Sequence, residues 1–170
     1  MSLKDTTLAT CRSAVRARGF SLIEAMVVIV VLALVVPSTV SMLTEATDAR
    51  LDAISLQRAT ALAEGVLESV IGDVASPHPH LGFVALENVD TYLHHPQTGL
   101  VARLSAFAQP FTDAGLQWEV EISPLQNADG KVSMDPLLNE FRSVTVHVRF
   151  PLASRSSQTL SLTTVVCTLP

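Results

Sequence analysis

Between Phe20 and Leu43 the chain reads FSLIEAMVVIVVLALVVPSTVSML, 24 residues in which Glu24 is the sole charge. As a helix rising 1.5 Å per residue this stretch is roughly 36 Å long, enough to cross the hydrocarbon of a bilayer. The residues before it are basic. Lys4, Arg12, Arg16 and Arg18 are four of the 11 basic residues and Asp5 is the one acid beside them, so residues 1–19 carry +3. The remaining 7 basic and 15 acidic residues give everything after Gly19 a charge of −8. A basic flank stays on the cytoplasmic side of a spanning helix, which sends the 127 residues after Leu43 to the opposite side.

The rest of the composition narrows the choice of class. A chain of 170 residues builds one modest core. With 48% hydrophobic and 16% charged residues and a mean hydropathy of +0.40, it is too apolar for disorder, and part of its apolar surface must face something other than water. A pI near 5.4 argues against nucleic-acid binding, which needs clustered Lys and Arg. Cys11 and Cys167 lie at opposite ends, so neither a disulfide scaffold nor a zinc site of paired thiolates is available.

A basic flank followed by an apolar run also describes a secretory signal peptide or a plain membrane anchor. The run here exceeds the usual signal length of about 7 to 15 residues, and no Ala-x-Ala-like cleavage site follows it. Glu24 argues against a plain anchor, because a carboxylate facing lipid costs on the order of 3 kcal/mol unless paired or protonated. The segment Arg18-Gly19-Phe20-Ser21-Leu22-Ile23-Glu24, followed by its unbroken apolar run, resembles the class III signal of type IV prepilins and type II secretion pseudopilins. The resemblance implies a 1–19 cytoplasmic leader, scission between Gly19 and Phe20 by a membrane-embedded prepilin peptidase, and N-methylation of Phe20.

Such a cut creates an α-amino cation at the membrane edge, with Glu24 one helical turn deeper. Each is a charge that needs a counter-ion. Within one helix they meet awkwardly, whereas the amine of an incoming chain can reach Glu24 of a chain already in place. The resemblance implies this same assembly contact, and with it other pilin or pseudopilin subunits and an inner-membrane assembly platform as partners. Desolvation opposes the Coulomb gain, so the pair sets register more than it adds stability. The presence of Glu24 also implies a place below the filament tip, since tip pseudopilins typically lack the acid. Pro37 departs from many major pilins, whose helix-breaking Pro comes a few residues later; nearby Ser38, Thr39 and Ser41 can ease the kink it causes.

Beyond Leu43 the pattern becomes amphipathic, with no Gly or Pro before Gly65. Leu56, Ala59, Leu62, Ala63, Val66, Leu67, Val70 and Val74 form one apolar stripe, with Gln57, Thr60, Glu64 and Glu68 opposite. The prolines of Ser76-Pro77-His78-Pro79 end the run, so the expected helix covers residues 20–74, with 20–43 transmembrane. Its stretch Ala59 to Val70 also looks similar to minor pilins and the smaller minor pseudopilins. Residues 75–170 are expected to form a globular periplasmic domain. In it Leu116 to Ser123 alternates strictly, Ser143 to Phe150 repeats the pattern, and Gln158 to Leu169 does so less purely. Three antiparallel strands covering the stripe give an α+β fold, a long helix on a small sheet, as in pilins. Gly99 to Phe107 is expected to add a fourth strand and Pro77 to Pro96 to be an irregular connection.

No cofactor motif and no catalytic constellation is present: neither a Gly-x-Ser-x-Gly elbow nor a phosphate-cradling glycine loop occurs. His78, His80, His94 and His95 fall within 18 residues but lack metalloenzyme spacing. Asn127, Asp129 and Gly130 read as a turn, because the 12-residue calcium-loop pattern is absent. Cys167 is expected to be a small packed side chain. The expectation is therefore a filament subunit without enzymatic activity, single-pass in a bacterial inner membrane. A single-helix anchored binding or sensor domain, metal-binding through the histidines, is the alternative.

Overall fold

The computed structural model describes residues 21–78, 80–153 and 156–167, so Gly19, Phe20 and Cys11 lie outside the described residues. The chain divides into two units, Met1–Leu43 and Thr44–Pro170. One helix, α1 (Leu22–Val74), contributes to both. In the first unit every described side chain except Ala25 is exposed, Leu22 at 80%. This follows from the sequence: the run is apolar all round, so no single face can be buried by a partner element. The helix is long and apolar enough to cross a membrane. Pro37 sits inside it without ending it, while the hydroxyls of Ser38 and Thr39 donate to the carbonyls of Val35 (2.8 Å) and Val36 (2.9 Å).

The second unit is built as one layer of helix on one of sheet. Ala59, Leu62, Ala63, Val66, Leu67 and Val70 of α1 are buried, at spacings of three and four that place them on one face. Leu56, expected on this stripe, is instead exposed, because the sheet's cover begins one turn further on. Opposite lies a three-stranded antiparallel sheet in the order β1 (Gln117–Ile122), β2 (Phe141–Pro151), β3 (Ser157–Cys167). Trp118 pairs with Val148 and Val146 with Leu162, so the inward residues of adjacent strands are in register. Val144, Val146 and Val148 of the central strand are fully buried, whereas Leu160 and Leu162 of β3 are half-buried at the sheet's margin.

Two segments differ from expectation. Gly99 to Phe107 is no strand: it opens α3 (Leu100–Asp113), which buries Leu100 and Ala108 and half-buries Leu104 and Phe111. Spacings of four, four and three residues are a helical period, and the buried face only closes at Phe111. The connection expected to be irregular from Pro77 to Pro96 instead holds a 3₁₀ turn (Phe83–Glu87) and α2 (Val89–His94), which together bury Leu86, Tyr92 and Leu93. Asn88 caps α2, its side-chain oxygen accepting from the Thr91 amide at 3.2 Å. Gly82, at φ +88°, turns the chain back so that its amide donates to the Asp73 carbonyl at the end of α1 (2.8 Å).

The two ends of this unit are fixed differently. At the end where the chain enters, the Ala153 amide of the β2–β3 hairpin donates to Asp52 of α1 at 2.8 Å. At the end where α1 finishes, the Arg142 guanidinium stands over the Phe83 ring, 5.9 Å from its centroid, and donates to the Ser123 carbonyl at 3.0 Å.

Candidate functional site

Glu24 occupies the first turn of α1, beside amides that have no intrahelical partner. Its neighbours Leu22, Ile23, Met26, Val27 and Val28 are all exposed, as is Glu24 itself. Among the described residues no basic side chain pairs with it. The structure thus presents one carboxylate on an otherwise continuous apolar cylinder, which in hydrocarbon is a charge in need of a counter-ion. The other two predicted site residues, Gly19 and Phe20, fall outside the described residues.

Residues 15–36 match the family model of the prokaryotic N-terminal methylation motif. The chain carries a prepilin-type signal. The motif runs across Gly19, Phe20 and Glu24 and into the apolar helix, and it marks a protein processed by prepilin peptidase and associated with a membrane. No curated protein and no solved structure gives a significant match to this chain.

The histidines do not form a centre. His78, His80, His94 and His95 are all exposed, and among the described residues no three His, Cys, Asp or Glu side chains are grouped to hold a metal ion. His80 and His95 line an open cavity of about 470 Å³ with Glu87 and Asn88, but the His95 Nδ1 is engaged by the Thr98 hydroxyl at 2.9 Å. His147 stands on the outward face of β2, its Nδ1 2.7 Å from the Ser161 hydroxyl and its Nε2 3.3 Å from Glu121. That cross-strand row joins β1, β2 and β3 across the outward face of the sheet. Asn127 spends its side-chain oxygen on the amides of Asp129 (3.1 Å) and Lys131 (3.0 Å), as a turn requires. Cys167 is exposed and free, which corrects its expected packing: Val166 takes the inward position and Cys167 follows on the outward one.

One buried polar cluster was not anticipated. Asp73, 6% exposed near the end of α1, accepts from the Tyr92 hydroxyl at 2.7 Å and from both terminal nitrogens of Arg103, the Nη1 contact measuring 2.7 Å. It joins α1 to α2 and α3. Burial, then the hydrogen bond to Asp73, raises the Tyr92 pKa far above the usual phenol range, and the bond to Asp73 raises that of Arg103. The available signal was an acid falling on the buried stripe after Val66 and Val70, together with the chain's single Tyr and the lone base between Arg58 and Lys131. A bidentate Arg on a buried carboxylate that also holds the Tyr92 hydroxyl ties three helices together.

Proposed function

We propose that this chain is a structural subunit of a type IV pilus or type II secretion pseudopilus. Prepilin peptidase cuts between Gly19 and Phe20, Phe20 is N-methylated, and the chain waits in the bacterial inner membrane with its second unit in the periplasm. An assembly platform then draws it into a filament among other pilin or pseudopilin subunits. The reading assigns the chain no catalysis.

One observation carries it: Glu24 is the sole charge on an apolar helix segment that none of the described residues covers. Two needs have to be met together, apolar burial and a counter-ion, and a bundle of like helices staggered by one subunit supplies both. The incoming α-amine neutralises Glu24 as lipid is exchanged for protein, so a mis-staggered helix leaves two unpaired charges in low dielectric.

Co-expression with a prepilin peptidase followed by N-terminal mass spectrometry tests the first step, with a methylated Phe20 terminus expected. Glu24→Gln tests the second: assembly into filaments is lost while membrane association is kept. A mature chain starting elsewhere, or filaments formed equally well by Glu24→Gln, overturns the proposal, and the latter result would favour an anchored receptor.

A further inference from the structure

The connection between β1 and β2 is built inside out. Its polar side chains are used on its own backbone: Asn139 accepts from the Ser133 amide (2.8 Å) and donates to the Ser133 carbonyl (2.9 Å), and Asp135 accepts from the Leu137 amide (3.0 Å). Asn127 holds the adjoining turn in the same way. The apolar side chains point outward, with Met134 at 104% and Leu137 at 82% exposure, and Val132 and Leu138 also exposed. A loop braced by Asn127, Ser133, Asp135 and Asn139 presents those apolar side chains in a fixed arrangement, which lowers the ordering cost of binding.

Beside it lies an open cavity of about 340 Å³ whose lining includes Leu137, Leu138 and Phe141 together with Asp129 and Glu140. Among the described residues neither carboxylate has an ion-pair partner, and Lys131, the one base of the connection, does not line the cavity. An aliphatic surface next to two unpaired carboxylates matches a side chain with a methylene stem and a cationic head. We propose that this cavity receives a Lys or Arg side chain from a different protein, docked on the apolar loop.

Charge selects the occupant. Asp129, Asp135 and Glu140 surround the patch against Lys131 alone. A second copy, which beyond Gly19 carries −8, would bring acid against acid. Anionic headgroups are repelled for the same reason. The patch also lies at the end of the unit where α1 finishes, away from the Asp52–Ala153 contact at the chain's entry.

The test uses the processed full chain in phosphatidylcholine nanodiscs and a fluorescent short peptide alternating leucine and arginine, compared by anisotropy with its citrulline counterpart. The arginine peptide is expected to bind about two- to fivefold tighter, the worth of a solvent-exposed ion pair. Asp129→Asn with Glu140→Gln should abolish that preference, and Leu137→Ser with Leu138→Ser should weaken both peptides. All four side chains are exposed, so circular dichroism should be unchanged. Absence of arginine-peptide binding, equal binding of the two peptides, or a preference surviving the double neutral variant overturns the proposal. So does self-association, or adhesion to phosphatidylcholine vesicles, that the leucine variants abolish, since each would give the patch to another occupant.

Discussion

Replacing Asp73 by alanine should be the most damaging polar substitution in the second unit. Its carboxylate is 6% exposed and serves two donors, the Tyr92 hydroxyl at 2.7 Å and the Arg103 fork. Asp73→Ala strands a buried hydroxyl, costing about 1–3 kcal/mol. The Arg103 side chain is 32% exposed and can turn to water, so its loss is held to about 1 kcal/mol. Together these come to about 3 kcal/mol, toward the lower edge of what breaking a buried ion pair costs. For a 127-residue unit this is a fall of about 10 °C in Tm. Urea unfolding of the chain in micelles, followed by near-UV circular dichroism, measures it. Tyr92→Phe separates the parts: it should cost about 1 kcal/mol in the parent but recover about 1–3 kcal/mol in the Asp73→Ala background, where it removes the stranded hydroxyl. A loss under about 0.5 kcal/mol for Asp73→Ala, or an equal Tyr92→Phe effect in both backgrounds, would refute the clamp.

Three other outcomes are expected. Because folding raises the Tyr92 pKa, the phenol's contribution is fully present below the unfolded value of about 10 and is lost as pH climbs above it; Tyr92→Phe should flatten that alkaline decline in a pH series of unfolding curves. Gly99→Ala should cost more than about 2 kcal/mol because a Cβ there meets the His95 backbone at 2.5 and 2.6 Å. Gly65→Ala should be nearly neutral, since the atom it meets at 2.4 Å is the tip of the movable Phe107 ring and alanine favours the helix. Both are read from Tm. Cys167, being exposed, should react with a maleimide in the native chain at close to its unfolded rate, whereas slow labelling would restore the packed position.

The sheet was legible because strict alternation has one physical meaning. When Val144, Val146, Val148 and Phe150 alternate with polar residues, only a pleated strand puts them all on one side, and all four are buried. The α1 stripe was legible for the same reason at a different period. The segment from Gly82 to Asp113 was harder, because its elements are short and its contacts are with one another. A helix of six residues such as α2 covers too few turns to show a period, and its order comes from tertiary partners. Asp73 escaped notice because its partners lie 19 and 30 residues away in that segment. A buried acid advertises a need but does not say which distant residue meets it. The proposed cut between Gly19 and Phe20 rests on the motif, both residues lying outside the described ones.

The chain contains two kinds of apolar sequence, and they differ in what they ask of their surroundings. From Ala59 to Val70 the apolar residues recur with the helical period, one face is satisfied by the chain's own sheet, and Glu64 and Glu68 remain in water. From Leu22 to Val36 there is no period, and none of the described residues buries the surface. Aperiodic hydrophobicity specifies burial without specifying direction or register: any rotation or slide of such a helix against its neighbours costs little. A single carboxylate changes that. With Glu24 the only charge on the segment, rotations and slides that leave it unpaired cost several kcal/mol, while the one stagger that brings an ammonium alongside does not. Moving the carboxylate by one turn, as in Glu24→Val with Val28→Glu, keeps the composition and the net charge unchanged. If register is what Glu24 supplies, that double variant should insert in the membrane normally and still fail to join parental subunits in a mixed filament.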